Sequence, residues 1–245
     1  MTPHWKLSFA GLCALIATTT AHAVPISGQG SWESTLQSRD IDGDGTIDAF
    51  YDTVLDITWL ADANFGAGSA FDDGLSPSDG DMSWSSALAW AASLDIHGVT
   101  GWRLPEMNPG STVHSELSHM YYETLGNFGP GNPLTSTPPG TWGFTNTALF
   151  TQLESEWFWT GTADLPGATA WVFAGDPISG YHSAEPIVVG NRAWAVRDGD
   201  VPVIPEPSTY ALMLLGLAGV AAVAARCGRR GGLTDYSSPA RLTAR

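Results

Sequence analysis

Apolar positions fall into two kinds of pattern along the chain. Near the ends they run together: residues 7–17 form one apolar block behind Lys6, and residues 210–225 form another, sixteen positions without a charge. Between the blocks they are short segments broken by Gly, Pro, Ser and Asp. Residues 83–94 (SWSSALAWAASL) bring Trp84, Leu88, Ala91 and Leu94 near one face of a helix that Ser83 can cap. Residues 113–125 set Leu117, Met120, Tyr121, Thr124 and Leu125 in a second stripe, which Gly126-Asn127 ends. Aromatic and β-branched residues predict strands at 50–54, 57–60, 102–104, 156–160, 170–174 and 193–196. The Gly/Pro/Ser/Thr-rich stretch 126–143 reads as a long loop. Strands around two early helices imply an α+β fold, not a doubly wound sheet.

The two apolar blocks read as addresses. Lys6, the short block behind it and the small-x-small run Ala21-His22-Ala23 have the composition of a secretory leader, with signal peptidase cutting between Ala23 and Val24. The second block makes a helix of roughly 24 Å at about 1.5 Å per residue, a little short of a ~30 Å hydrocarbon core. Arg226, Arg229 and Arg230 follow it at once, and the positive-inside rule makes theirs the cytoplasmic side. The expectation is a transmembrane helix over 209–225 with the preceding domain outside.

Charge sharpens this picture. The chain has 245 residues and a formal net charge of −15, with only 14% charged residues. Between Val24 and Pro205 stand four arginines (Arg39, Arg103, Arg192, Arg197) against 23 acidic residues, a formal −19. Such a body lacks the basic face that nucleic acid requires. Cys13 lies in the leader and Cys227 beyond the second block, so the exported body has no cysteine for a disulfide, a thiol nucleophile or a thiolate-bound zinc.

Pro205-Glu206-Pro207, the apolar block and the arginine cluster, in that order, resemble the PEP-CTERM sorting signal. The resemblance implies recognition by an exosortase, a membrane-embedded protease and transpeptidase of exopolysaccharide-producing Gram-negative bacteria. Residues 231–245 run on past the point where such signals stop and read as a cytoplasmic extension. A second resemblance covers most of residues 32–200. The segments VLDITWLADAN (54–64), MSWSSALAWAASL (82–94), GWRLP (101–105), SELSHMYYETLGN (115–127), WFWTGT (157–162) and AWAVRDGD (193–200) are similar to the DUF1566, or Lcl C-terminal, family. That likeness extends to C-type-lectin-like and formylglycine-generating folds, implying a compact, loop-rich domain without supplying an activity. The expected organisation is a leader over 1–23, a short segment 24–31, the domain 32–200, a linker 201–208 with the Pro-Glu-Pro motif, the transmembrane helix 209–225 and a basic tail 226–245.

The sharpest polar motif is RDIDGDGTID, residues 39–48. Asp40, Asp42, Asp44 and Asp48 match positions 1, 3, 5 and 9 of a calcium loop, with Gly45 at the turn and the Thr46 carbonyl available. Tyr51 stands where the bidentate Glu would be, and an Asp/Gly turn between strands explains the same letters. HSELSH (114–119) departs from the zinc pattern H-E-x-x-H: its histidines, five apart, sit about 140° around a helix. An exposed helix face is the better reading there. His97 and His182 fall in apparent turns. Ten tryptophans outside the leader build a core in place of disulfides; Trp142, in the Gly/Pro loop, is the ring best placed to stack on a sugar. Arg103 and Arg197 read as half-buried partners of carboxylates, Arg197 facing Asp198 or Asp200.

No nucleophile elbow, phosphate loop or dinucleotide fingerprint occurs in the sequence. The expectation is therefore a non-enzymatic exported protein, held at the inner membrane and sorted to the surface or extracellular matrix, in contact with exopolysaccharide. A calcium-assisted carbohydrate-binding module is the alternative, and an uncharacterised surface or periplasmic enzyme stands behind it.

Overall fold

The structure, a computed structural model, describes residues 25–76, 78–108, 115–129, 143–175, 180–201 and 207–230. Among these residues ten strands form two five-stranded sheets. The first orders β1 (Leu36–Arg39), β2 (Ala49–Asp52), β3 (Ile57–Leu60), β10 (Val196–Asp198) and β5 (Trp102–Arg103), every neighbour antiparallel. The second orders β4 (Asp81–Met82), β9 (Asn191–Arg192), β6 (Trp157–Leu165), β7 (Thr169–Ala174) and β8 (Tyr181–Pro186), with β6 and β9 parallel. With the short helices α1 (Trp32–Thr35), α2 (Trp84–Ser93) and α3 (Glu116–His119) this is the α+β architecture expected.

The predicted strand at 193–196 is instead the crossover between the sheets. Asn191–Arg192 end the second sheet, Ala193, Trp194 and Ala195 pass through the core at 1% exposure or less, and Val196 opens β10 in the first sheet. Their aromatic and small apolar character came from burial, which reads like a strand in sequence. Trp194 is the hub of that crossing: its Nε1–H donates to the Leu60 carbonyl at 2.9 Å. From it a chain of rings, Phe50–Phe150–Trp194–Phe158–Phe144–Tyr121–Phe173, joins both sheets with centroids 4.9 to 6.1 Å apart. Edge-on contacts of this kind contribute about 0.5–1.5 kcal/mol each beyond the area they bury. A single hydrophobic cluster runs from Ile41 to Val201, so the body has one core.

Helix α2 starts where the sequence places it. The Ser83 hydroxyl accepts the Ser86 N–H at 3.4 Å, and Asp73 accepts from the Ser83 N–H at 2.6 Å and the Ser86 hydroxyl at 2.7 Å. Its buried face is centred on Ala87, Trp90 and Ala91, one step round from the expected stripe; Trp84 and Leu88 lie at the margin. The second helix is shorter at its start and wider at its end than the periodicity suggests. Ser115 and Ser118 form a capping box on α3, and Met120–Thr124 continue as a π-helical turn. Leu117, Met120, Tyr121, Thr124 and Leu125 are all buried, as the stripe requires. Gly126, at φ 66°, closes it. The greater part of the expected loop 126–143 lies outside the described residues.

Candidate functional site

The Asp loop connects β1 to β2 and is built from its own carboxylates. Asp40 accepts the N–H groups of Gly43 at 2.7 Å and Gly45 at 2.8 Å through its two oxygens. Asp42 takes Asp44 N–H, Asp44 takes Thr46 N–H, and Asp48 takes Ile41 N–H. These bonds hold Gly43 and Gly45 at φ 77° and 94°, which only glycine adopts without strain. The Thr46 N–H also holds the Asp44 carboxyl below its usual value. One ligand oxygen each from Asp40, Asp42 and Asp44 lies within 4.8 Å of the others. An all-oxygen set suits a hard cation such as calcium.

Sequence reasoning missed the loop's partner. His97, at φ 52°, sets Nδ1 3.2 Å from Asp42 and Nε2 3.4 Å from Asp48. With both ring nitrogens facing carboxylates, the imidazole ties residues 95–98 to the Asp loop; the same three side chains form a second group able to hold a metal ion. Nothing in spacing reveals this, because the two loops lie half a hundred positions apart in the chain.

The HSELSH segment carries no zinc arrangement among the described residues. Glu116 is engaged by Arg103, whose Nη1 and Nη2 donate to it at 2.8 Å each. Arg103 also donates to Asp198 through Nε and Nη2, and the Glu116 bonds push its pKa further up. His119 is half-buried with no hydrogen bond at Nε2, and His114 lies outside the described residues. His182, expected in a turn, is the second residue of β8. Its Nδ1–H faces the Val172 carbonyl at 3.2 Å, so Nε2 is the acceptor and the Ser115 hydroxyl donates to it at 2.6 Å. Burial pushes the imidazole down to about 4, against the raising effect of the Val172 bond. A serine 2% exposed beside so weak a base is a packing lock between α3 and the second sheet.

Arg197 corrects a second expectation. It bonds the carbonyls of Thr100, Asp198 and Asp200, while the two carboxylates go to Arg103 and Arg39. The tryptophans behave as core: Trp59, Trp90, Trp102, Trp159 and Trp194 are buried, and Trp32, Trp84 and Trp157 pack partly against them. Trp142, the expected sugar platform, lies outside the described residues, as do Ala23 and Val24.

At the sorting tail the structure gives helix α4, Pro207–Arg230, longer at both ends than the expected 209–225. Side chains 212–224 are exposed. Among the described residues no helix is long and apolar enough to cross a membrane, so the expected span over 209–225 is not shown there. Pro205 and Glu206 lie outside the described residues. No curated protein and no solved structure matches the chain. The family model of the PEP-CTERM protein-sorting motif matches residues 203–230. The chain thus carries a sorting signal that implies export, membrane anchoring for sorting and processing by an exosortase-type enzyme.

Proposed function

We propose that this chain is an exported surface protein, held through α4 until an exosortase-type enzyme processes it at the Pro205-Glu206-Pro207 motif. The observation that carries the reading is the match of residues 203–230 to the PEP-CTERM motif. Its body, 32–200, is a DUF1566-like domain with a C-type-lectin-like layout, non-enzymatic, which meets extracellular polysaccharide or matrix. The α+β fold and the six sequence segments support that assignment. A formal −19 between Val24 and Pro205 keeps such a body soluble and apart from other acidic surfaces. Intact mass and C-terminal peptide mapping of the protein from fractionated native cells tests the reading. The expected chain begins at Val24 and ends near Pro205; a chain still carrying residues 231–245 in every fraction would refute it.

A second reading, a calcium-assisted carbohydrate-binding module, is favoured by the convergence of Asp40, Asp42 and Asp44. Calcium would sit on these oxygens, with Asp48 and the Thr46 carbonyl completing the shell, and would stiffen the β1–β2 connection. On this reading millimolar calcium raises the melting temperature of the body, and Asp44→Asn abolishes the rise. An unchanged melting curve, together with no glycan-array signal with or without calcium, removes it.

A further inference from the structure

Val201, 3% exposed, is packed in the body, and α4 begins at Pro207. Four chain steps separate Val201 from Pro205, at most about 14 Å at roughly 3.6 Å per residue. A domain of this size has a radius of gyration of about 16 Å. An enzyme that takes the Pro-Glu-Pro motif into its active site therefore meets the folded body at the same time.

The described part of the body ends on one face of the first sheet. Cross-strand register sets Gln37, Tyr51, Thr58 and Arg197 side by side on the first sheet. Residues 199–201 cross that face as a strap. The Thr58 hydroxyl donates to the Gly199 carbonyl at 2.7 Å, and Gly199 N–H donates to the Asp56 carbonyl at 2.8 Å. Arg39 grips the Asp200 carboxylate with Nε at 2.6 Å and Nη2 at 2.8 Å. Arg197 holds the strap from the other side, giving Nε to Thr100 and Nη1 to the Asp198 and Asp200 carbonyls. All three acceptors are neutral. Among the described residues no carboxylate pairs with Arg197, and its Nη2 donates no hydrogen bond, whereas Arg39, Arg103 and Arg192 are each ion-paired. An uncompensated guanidinium thus stands on the exit face of a strongly acidic body.

Resting on the sorting reading above, we propose that this exit face, centred on Arg197, is a docking surface for the outward-facing side of the sorting enzyme. The enzyme presents an acidic group to the free edge of the Arg197 fork, and the short tether supplies the effective concentration that makes one exposed pair count. The strap, fixed by Arg39 and Asp200, sets the angle at which the motif is offered.

The test follows conversion of the full chain by pulse labelling in cells that contain an exosortase-type enzyme. Arg197→Gln slows conversion by roughly two- to fivefold, the range an exposed ion pair supports, and Arg197→Lys restores most of the rate. Gln37→Glu, which adds a negative charge to the same face beside Arg39, whose Nη2 donates to Gln37 Oε1 at 2.9 Å, also slows it. A flexible Gly/Ser linker inserted after Val201 erases both effects, since it frees the body from the enzyme. Conversion of Arg197→Gln and Gln37→Glu at the wild-type rate on the native tether overturns the proposal. Unchanged conversion combined with weaker flotation of Arg197→Gln on phosphatidylglycerol vesicles also overturns it, giving the face to the membrane. If no chain is converted, wild type included, the sorting reading itself has failed and the docking surface with it.

Discussion

His182 shows how one side chain acquires a property that its neighbours in sequence do not suggest. Its ring lies on Phe173, with centroids 5.3 Å apart, and its two nitrogens meet only the Val172 carbonyl and the Ser115 hydroxyl. Among the described residues no carboxylate pairs with its ring, and burial lowers its pKa to about 4 from its usual 6.5. Between these values the unfolded chain binds a proton that the folded chain refuses, so stability rises with pH across that window. The contribution is complete above about pH 6.5 and lost as pH falls through about 4, on the order of 3 kcal/mol. Urea unfolding of the body between pH 7 and pH 4 reads this slope directly, and His182→Gln flattens it. An equal slope in the variant would place the acid sensitivity elsewhere.

At the scale of elements, the joint that matters most is between the start of the body and the end of the π-helical turn. Ser31 N–H donates to the Thr124 carbonyl at 2.9 Å, and Asn146 bridges Ile26, Gln29 and Leu125. Gly30 and Gly126 touch at this joint. A Cβ on Gly126 would stand 2.5 Å from the Gly30 nitrogen, and one on Gly30 would stand 2.3 Å from the Thr124 carbonyl oxygen. Gly126 also needs φ 66° to end the turn. Gly126→Ala therefore combines a left-handed backbone with a backbone clash, a cost of about 1–3 kcal/mol. It releases residues 26–31, seen as faster amide hydrogen exchange there than in β6 or β7. Protection left at the wild-type level would mean that the joint relaxes without loss. The segment just after the expected leader cut is thereby an integral part of the fold.

For the whole molecule, the absence of cysteine between Val24 and Pro205 makes the aromatic chain the principal cross-link between the sheets. Dispersion and burial do what disulfides do in many exported domains, and fully burying such side chains contributes about 1.5–3 kcal/mol each. The mature body should accordingly melt at the same temperature with and without a thiol reductant, by calorimetry. A drop on reduction would show a covalent link that these residues cannot form. Phe158→Ala, by contrast, breaks the ring chain between Trp194 and Phe144 and removes a 0%-exposed side chain, at about 3–5 kcal/mol.

Local order was largely written in the sequence. The start of α2 follows from Ser83, the extent of β3 from four consecutive apolar and β-branched positions, and the buried stripe of residues 117–125 from its helical spacing, because each depends on neighbours a few positions away. The sorting tail is likewise legible, since a linear signal is read as an extended or helical stretch without help from the fold. Four strands went unseen: β1, β4, β8 and β9 are short or polar and exist only because a partner strand completes their hydrogen bonds. The site residues divide in the same way. Asp40, Asp42, Asp44 and Asp48 are a local motif, whereas His97 across from Asp42, Ser115 on His182, Arg103 between Glu116 and Asp198, and Arg39 on Asp200 join positions brought together by chain crossing. Long-range pairing of this kind carries no periodicity, and so the tertiary structure alone decided which charges meet and left the Arg197 fork open.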